Sequence, residues 1–410
     1  MVLNNKKVTC LKKLSFINGI VNLKNRLRSN IMTKKPLLFA ILLLTMVYSC
    51  KKGTKTAIVV TPPIVTQPPA VSKAEEFIFQ SGFEPGSTAN TNYPQIVANP
   101  TAQGEDIKGN TTGLMNSDWI YDLETKTPVK YKLFRMNYEM GTYTDRRAEI
   151  IPNSAKDVGS NNSDNILSFR LTNAVIPAGY TNKGRVAAEL FSQSLAPGAT
   201  TADLAVSSNI REYYQKVKFY LPNDFNLLQA STFPVPNAGD WLLLWEFRDH
   251  VPTTTGKDSR ITIDITRPNN LSTTKFNFVV SCDEMGVNGA QPLNIWSVQN
   301  TNYKIPTGKW LEAEIYIKEG DAGTGRTYFA VREVNATNTG VWNKLCDKYA
   351  TNIHRNNTSP TGYNGFNPMK LYCSEAVVKP FQVAGKSLQV YWDDLEMYEN
   401  KLPSVGAITP

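Results

Sequence analysis

Alternation of apolar and polar residues with a period of two constrains this chain more than any other feature. Across residues 310–318, Leu311, Ala313, Ile315 and Ile317 fall on one side, and Glu312, Glu314, Tyr316 and Lys318 on the other. Residues 260–266 set Ile261, Ile263 and Ile265 against Arg260, Thr262 and Asp264, and residues 275–281 repeat the device with Phe276, Phe278 and Val280. Side chains alternate across a strand, so each run is a strand with one buried face. Further runs at 129–136, 166–172, 185–191, 211–221, 241–248, 326–334 and 388–398 are separated by Gly, Pro, Asn and Asp turns. No long stretch carries a helical period. A dozen or more one-faced strands can bury their apolar sides only by stacking two sheets. The spacing therefore predicts an all-β fold over 76–402, a single large antiparallel sandwich of the jelly-roll type.

The amino-terminal region reads differently. Lys34 and Lys35 precede the apolar run 36–48, which is too short to span a bilayer and fits the core of a signal peptide. The run ends at Ser49-Cys50, a small residue before a cysteine, which resembles the bacterial lipoprotein signal. That resemblance implies acylation at Cys50 and a mature chain beginning there. Residues 1–31 are then an upstream extension, 32–49 the signal, and 50–75 a tether stiffened by Pro62-Pro63 and Pro68-Pro69. Lys51 is not the Asp of inner-membrane retention, so a lipid anchor in the outer membrane is expected, facing either side. Residues 403–410 form a tail.

Composition narrows the partners. The net charge of +9 suggests a polyanion binder, but residues 1–49 hold nine Lys or Arg and no acid. The remainder balances at 35 basic and 35 acidic residues, so no global field steers it onto nucleic acid. Beyond Cys10 and Cys50 the cysteines are Cys282, Cys346 and Cys373, and the histidines are only His250 and His354. A Cys/His zinc site is not expected, and at most one disulfide. No cofactor is required by any motif, and the chain is expected to be a monomer.

Candidate chemistry lies on the polar sides of strands. In 241–250 the alternation assigns Trp241, Leu243, Trp245 and Phe247 to the core, and Glu246, Arg248 and His250 to the outer face. In 185–191 it leaves Arg185 and Glu189 outward, and in 326–334 Arg326, Tyr328 and Arg332. Arg147 and Glu149 form a similar pair that reads as an ordinary surface ion pair. Carboxylate, guanidinium and imidazole on one face can bind sugar hydroxyls or acidic groups. Glu84, Asp393 and Asp394 could supply oxygen donors to a structural calcium joining the chain ends, against the plainer reading of exposed acids at a strand end.

Several segments recur in a familiar order: Gly82-Phe83-Glu84, residues 166–171 (ILSFRL), Arg185 with Glu189-Leu190, residues 213–225 (YYQKVKFYLPNDF), a Trp-rich strand, and residues 390–398 (VYWDDLEMY). This order resembles the concanavalin-like jelly-roll polysaccharide lyases of the heparin lyase I and glucuronan lyase type, and more loosely the alginate lyases with an RxEL strand. The resemblance implies β-elimination on a uronate-containing polysaccharide. Such a reaction needs a cation for the uronate carboxylate, a base, and an acid for the leaving oxygen. Arg185 or Arg248 suits the first role, and His250 or Tyr328 the others. Glu189, Glu246, Arg248 and Arg332 are then substrate contacts. The family carries a Gln-x-His-like pair where this chain has Glu246-Phe247-Arg248. A glutamate there repels uronate unless it is protonated or paired with Arg248. The alternatives are a non-catalytic surface glycan-binding lipoprotein and a structural lipoprotein without a ligand. Convergence of Arg185, Glu246, Arg248, His250 and Tyr328 in one groove distinguishes them.

Overall fold

The computed structural model describes residues 73–83, 88–89, 101–104, 107–108, 131–139, 144–154, 163–173, 183–192, 209–229, 240–249, 258–267, 276–286, 292–335 and 340–404. Cys50, Glu84 and His250 lie outside them, as do the signal peptide and almost all of the tether.

Eighteen strands follow one another among these residues: β1 (Glu76–Ser81), β2 (Thr88–Ala89), β3 (Thr101–Gly104), β4 (Ile107–Lys108), β5 (Tyr131–Glu139), β6 (Arg146–Pro152), β7 (Asn165–Leu171), β8 (Lys183–Ser192) and β9 (Glu212–Tyr220). They continue as β10 (Leu242–Asp249), β11 (Ser259–Thr266), β12 (Asn277–Glu284), β13 (Leu293–Gln299), β14 (Trp310–Lys318), β15 (Arg326–Glu333), β16 (Asn343–Tyr349), β17 (Gly365–Ser374) and β18 (Leu388–Glu399). The first sheet runs β16-β15-β14-β9-β18-β7-β6, with β1 also on β18, and the second runs β13-β12-β11-β10-β17-β8-β5-β3. Strands β2 and β4 form a separate pair. Neighbours in the two large sheets pair antiparallel. The fold is an all-β sandwich, as the alternation predicts. A nine-residue helix, α1 (Glu375–Val383), follows β17 in the chain and was not predicted; it buries Val377, Val378 and Phe381.

The alternating apolar sets meet between the sheets. Leu311, Ala313, Ile315 and Ile317 of β14 pack in one cluster with Ile261, Ile263 and Ile265 of β11, and with Phe278 and Val280 of β12. At the centre, Trp245 of the second sheet lies 5.4 Å from Phe219, 5.5 Å from Trp392 and 5.7 Å from Phe329, all from the first sheet. Edge-to-face and tilted rings of this kind add to the burial of large apolar surface.

Strand β10 departs from strict alternation. Its pairing with β11 shifts register between Leu243 and Trp245, and its pairing with β17 between Leu243 and Glu246. The irregularity puts Leu242 and Leu244 into the core beside Trp245 and Phe247. Trp241 and Leu243, assigned to the core by simple parity, belong to the outward side instead. A bulge inserts a residue and reverses every side chain beyond it.

Strand β17 is irregular at the same level, between Phe366 and Met369, where Pro368 cannot donate to the ladder. The carbonyl of Pro368 is met from across the core by Gln215 of β9, which donates through Nε2 at 3.0 Å and whose Oε1 accepts from the Tyr213 hydroxyl at 2.8 Å. Gln215 is fully buried, so both contacts are needed to satisfy its amide.

One end of the sandwich is tied by the segment between β16 and β17. Buried Asn352 accepts from the Gly320 amide at 2.9 Å and donates to the Lys318 carbonyl at 2.8 Å, while its own carbonyl accepts from Tyr363 and from Ser259 of β11. Residues of both sheets thus meet on a single asparagine.

Candidate functional site

The outer face of the second sheet is polar, and its central polar side chains are buried. Register across β8, β17, β10 and β11 aligns Arg185, Tyr372, Leu243 and Asp264 in one row. The next row aligns Asn367, Glu246, Thr262 and Ser281. Arg248, Arg260 and Asp283 follow in a third.

Lys370 is the most constrained group on this face. Its side chain is 0% exposed, and its ammonium is paired with Glu246 and donates to Asn367 Oδ1 at 3.0 Å. Arg248 and Arg260 each stand 4.0 Å from the same glutamate. Burial alone would raise the Glu246 pKa, but Lys370, Arg248 and Arg260 together hold the carboxyl well below the usual range. Burial pushes the Lys370 ammonium below the ordinary lysine value, and Glu246 opposes that shift. The glutamate that would repel a uronate is therefore ionised and surrounded by three cations. Arg248 is further paired with Asp258, and Arg260 donates to Asp283 at 3.1 Å.

Beside this network, Tyr372 is framed by cations. The ammonium of Lys370 is 5.0 Å from the centre of its ring, that of Lys183 5.7 Å, and the guanidinium of Arg185 5.9 Å. Trp241 lies against the same ring at 5.5 Å. Arg185 is held by Glu189 at 3.6 Å, four residues along the strand. A phenol oxygen able to take up and return a proton and cations able to stabilise a carboxylate thus share one end of the face. Sequence reasoning missed Lys370 and Tyr372 because Asn367-Pro368 interrupts the alternation in Gly365–Ser374. The proline was the available signal: inside a strand it marks a bulge, and beyond it Lys370 and Tyr372 stand two apart on one side.

The predicted residues divide between two faces. Arg185, Glu189, Glu246 and Arg248 come together on the second sheet. Tyr328 and Arg332 belong to β15 of the first sheet and do not join them. Tyr328 is 0% exposed, clustered with Tyr214 and Tyr316, and Arg332 is paired with Glu312 and lies 4.6 Å from the Trp342 ring centre. Parity shows which side of a strand is outward, but not which sheet the strand joins. Arg147 and Glu149 form the plain ion pair foreseen, at 2.7 Å.

Of the calcium donors, Asp394 pairs with Lys218 at 2.6 Å, and Asp393 accepts the Asp394 amide at 2.9 Å through Oδ1. Asp394 adopts φ of 45° where β18 shifts register. Among the described residues, no group of three or more His, Cys, Asp or Glu is placed to hold a metal. Cys282, Cys346 and Cys373 are free and buried, and burial raises each thiol pKa.

No family model and no curated protein matches the chain. Among solved structures, the endo-β-1,4-glucuronan lyase of the fungus Trichoderma reesei has 14% identity and a TM-score of 0.35, covering 62% of this chain and 86% of that one. A mutant of alginate lyase Aly36B in complex with alginate tetrasaccharide has 11% identity and a TM-score of 0.33, covering 59% and 83%. The marine PL-14 alginate lyase of Aplysia kurodai has 10% identity and a TM-score of 0.30, covering 59% and 86%.

Two measurements check this electrostatic description. Replacing Lys370 by Met leaves Glu246 buried without its closest partner and is expected to cost about 3–5 kcal/mol in urea unfolding. Removing both charges (Lys370→Met with Glu246→Leu) is expected to cost less than the single change.

The second concerns pH. Burial raises Asp264 to about 7, with Thr262 and Arg260 opposing, and burial together with Glu319 and Asp258 raises Asp249 to about 7. Unfolded aspartates titrate near ~4. Between about 4 and 7 the folded chain retains protons that the unfolded chain has released, so stability falls as pH rises through this window. Urea midpoints at both ends are expected to show a smaller fall in Asp264→Asn than in the wild-type chain.

Proposed function

We propose that the outer face of the second sheet binds a uronate-containing polysaccharide and cleaves it by β-elimination. The observation that carries this reading is the Tyr372 ring set among Lys183, Arg185 and Lys370. Arg185 and Lys183 neutralise the uronate carboxylate, which acidifies the proton on the adjacent C5. Tyr372, in its phenolate form, accepts that proton to become a phenol, the electron pair forms the C4–C5 double bond, and the C4–O bond to the neighbouring sugar breaks. The departing oxygen takes a proton from Tyr372, which restores the side chain. Lys370 and Glu246 are positioning residues: they fix β17 against β10 and so hold Tyr372 in place.

A second reading is favoured by the ion pairs themselves. Arg248, Arg260 and Lys370 already have carboxylate partners, an arrangement suited to holding sugar hydroxyls without chemistry. In that case the protein is a glycan-binding module of the same face. We also assign a lipid anchor at Cys50, which would place the sandwich on a Pro-rich stalk at the outer membrane.

The unsaturated uronate product absorbs in the ultraviolet, so turnover is read directly. Tyr372→Phe is expected to lower kcat by about 10²–10⁴-fold while leaving polysaccharide retention in an affinity gel largely intact. Retention by the wild-type chain without product on any uronate polymer would leave the binding module. For the anchor, metabolic labelling with a palmitate analogue is expected to mark the wild-type chain and not Cys50→Ala; equal labelling of both would contradict it.

A further inference from the structure

Trp241 stands immediately before β10, on the outward side of the second sheet. Two bonds from one residue of β17 fix its backbone: the Ser374 amide donates to the Trp241 carbonyl at 3.2 Å, and the Ser374 hydroxyl to Asp240 Oδ1 at 2.8 Å. Ser374 pairs in turn with Lys183 of β8, so Lys183, Ser374 and Trp241 form the row beside Arg185, Tyr372 and Leu243. The indole is thus held next to the cations assigned to the uronate carboxylate. The residue is partly exposed, while its Nε1 is buried and meets no hydrogen-bond acceptor among the described residues. What the side chain shows to solvent is therefore carbon. The Tyr372 ring, 5.5 Å away at an interplanar angle of 57°, tilts against the indole instead of lying flat over its face.

An apolar surface kept outside the core beside charged groups is informative in a way that a scattered surface leucine is not. Tryptophan offers wide, rigid contact area at little cost in conformational entropy, and a backbone already fixed lowers that cost further. Aromatic faces pack against the C–H groups of sugar rings, which removes apolar area from water on both sides. A pyranose unit is about as long as one strand spacing (~5 Å). With a uronate over Arg185 and Tyr372, the adjoining unit toward β10 reaches Trp241. A flat contact needs a ring whose substituents are all equatorial, because its faces are then lined by axial C–H bonds. An axial hydroxyl or glycosidic bond lifts the ring off the indole. We propose that Trp241 is the platform for the sugar unit next to the reacting uronate, and that it selects units with all-equatorial substituents. This rests on the uronate reading of the same face and adds the geometry of the neighbouring sugar.

Two polyuronates of equal charge density separate ring shape from charge: β-1,4-polyglucuronate, all equatorial, and α-1,4-polyguluronate, linked through axial bonds. Binding is measured by affinity electrophoresis in the Tyr372→Phe background, which suppresses cleavage. Polyglucuronate is expected to bind about tenfold more tightly than polyguluronate. Trp241→Ala is expected to erase most of that ratio, and Trp241→Phe, which keeps a flat ring, to retain it. A footprint needs no substitution at Trp241 and serves if the alanine variant does not fold. Oxidation by N-bromosuccinimide, mapped by mass spectrometry, is expected to be suppressed by polyglucuronate at Trp241 and unchanged at Trp342, which lies against Arg332 of the first sheet. Equal binding of the two polymers, a ratio unaffected by Trp241→Ala, or a Trp241 left unprotected would overturn the inference; product from the wild-type chain under any of these results would leave the lyase reading standing. Protection of Trp241 without unsaturated product would leave the platform and remove the chemistry. Binding of neither polymer would overturn both.

Discussion

A lysine with no exposed surface on the outward side of a sheet holds its charge by pairing with a carboxylate, and the site follows from that pairing. Lys370 and Glu246 are brought together because β17 and β10 shift register at the same level. Pro368 causes one irregularity by withholding a ladder donor, and Gln215 of the opposite sheet satisfies its carbonyl. The outer network is thus coupled through the core to the first sheet. Separating the two charges would strand an ion in a dry setting, a penalty of several kcal/mol that keeps the local geometry single-valued.

The same irregularities explain how a plain sandwich acquires a site. Regular pleating would send Leu243 inward on the same side as Trp245 and Phe247. The bulge commits Leu242, Leu244, Trp245 and Phe247 to the core together, and Trp245 then meets Phe219, Phe329 and Trp392. Trp241 is freed to lie against Tyr372 on the other side. Bulges commonly re-aim side chains near functional sites. Here the result is a phenol held among cations beside the buried Lys370–Glu246 pair.

Much of this was legible in the chain and part was not. The alternating sets in β11, β12 and β14 name their core residues correctly because nothing interrupts their pleat. Arg185, Glu189, Glu246 and Arg248 were identifiable for the same reason, since each lies where the local period still holds. Tyr328 and Arg332 were grouped with them because strand periodicity carries no information about sheet membership, which long-range pairing decides. Lys370 and Tyr372 escaped notice because Asn367-Pro368 hides the period of β17. The short helix α1 is held by packing of Val377, Val378 and Phe381, not by any strong periodic signal of its own.

The central claim is that a uronate carboxylate is received at the Arg185–Tyr372 end of the second sheet. The most direct measurement is a crystal structure of Tyr372→Phe with a uronate-bearing oligosaccharide. This account predicts the sugar carboxylate within hydrogen-bonding distance of Arg185, with the chain crossing β17, β10 and β11. An oligosaccharide seated instead on the outer face of the first sheet, over the strands that carry Tyr214 and Tyr328, would contradict it.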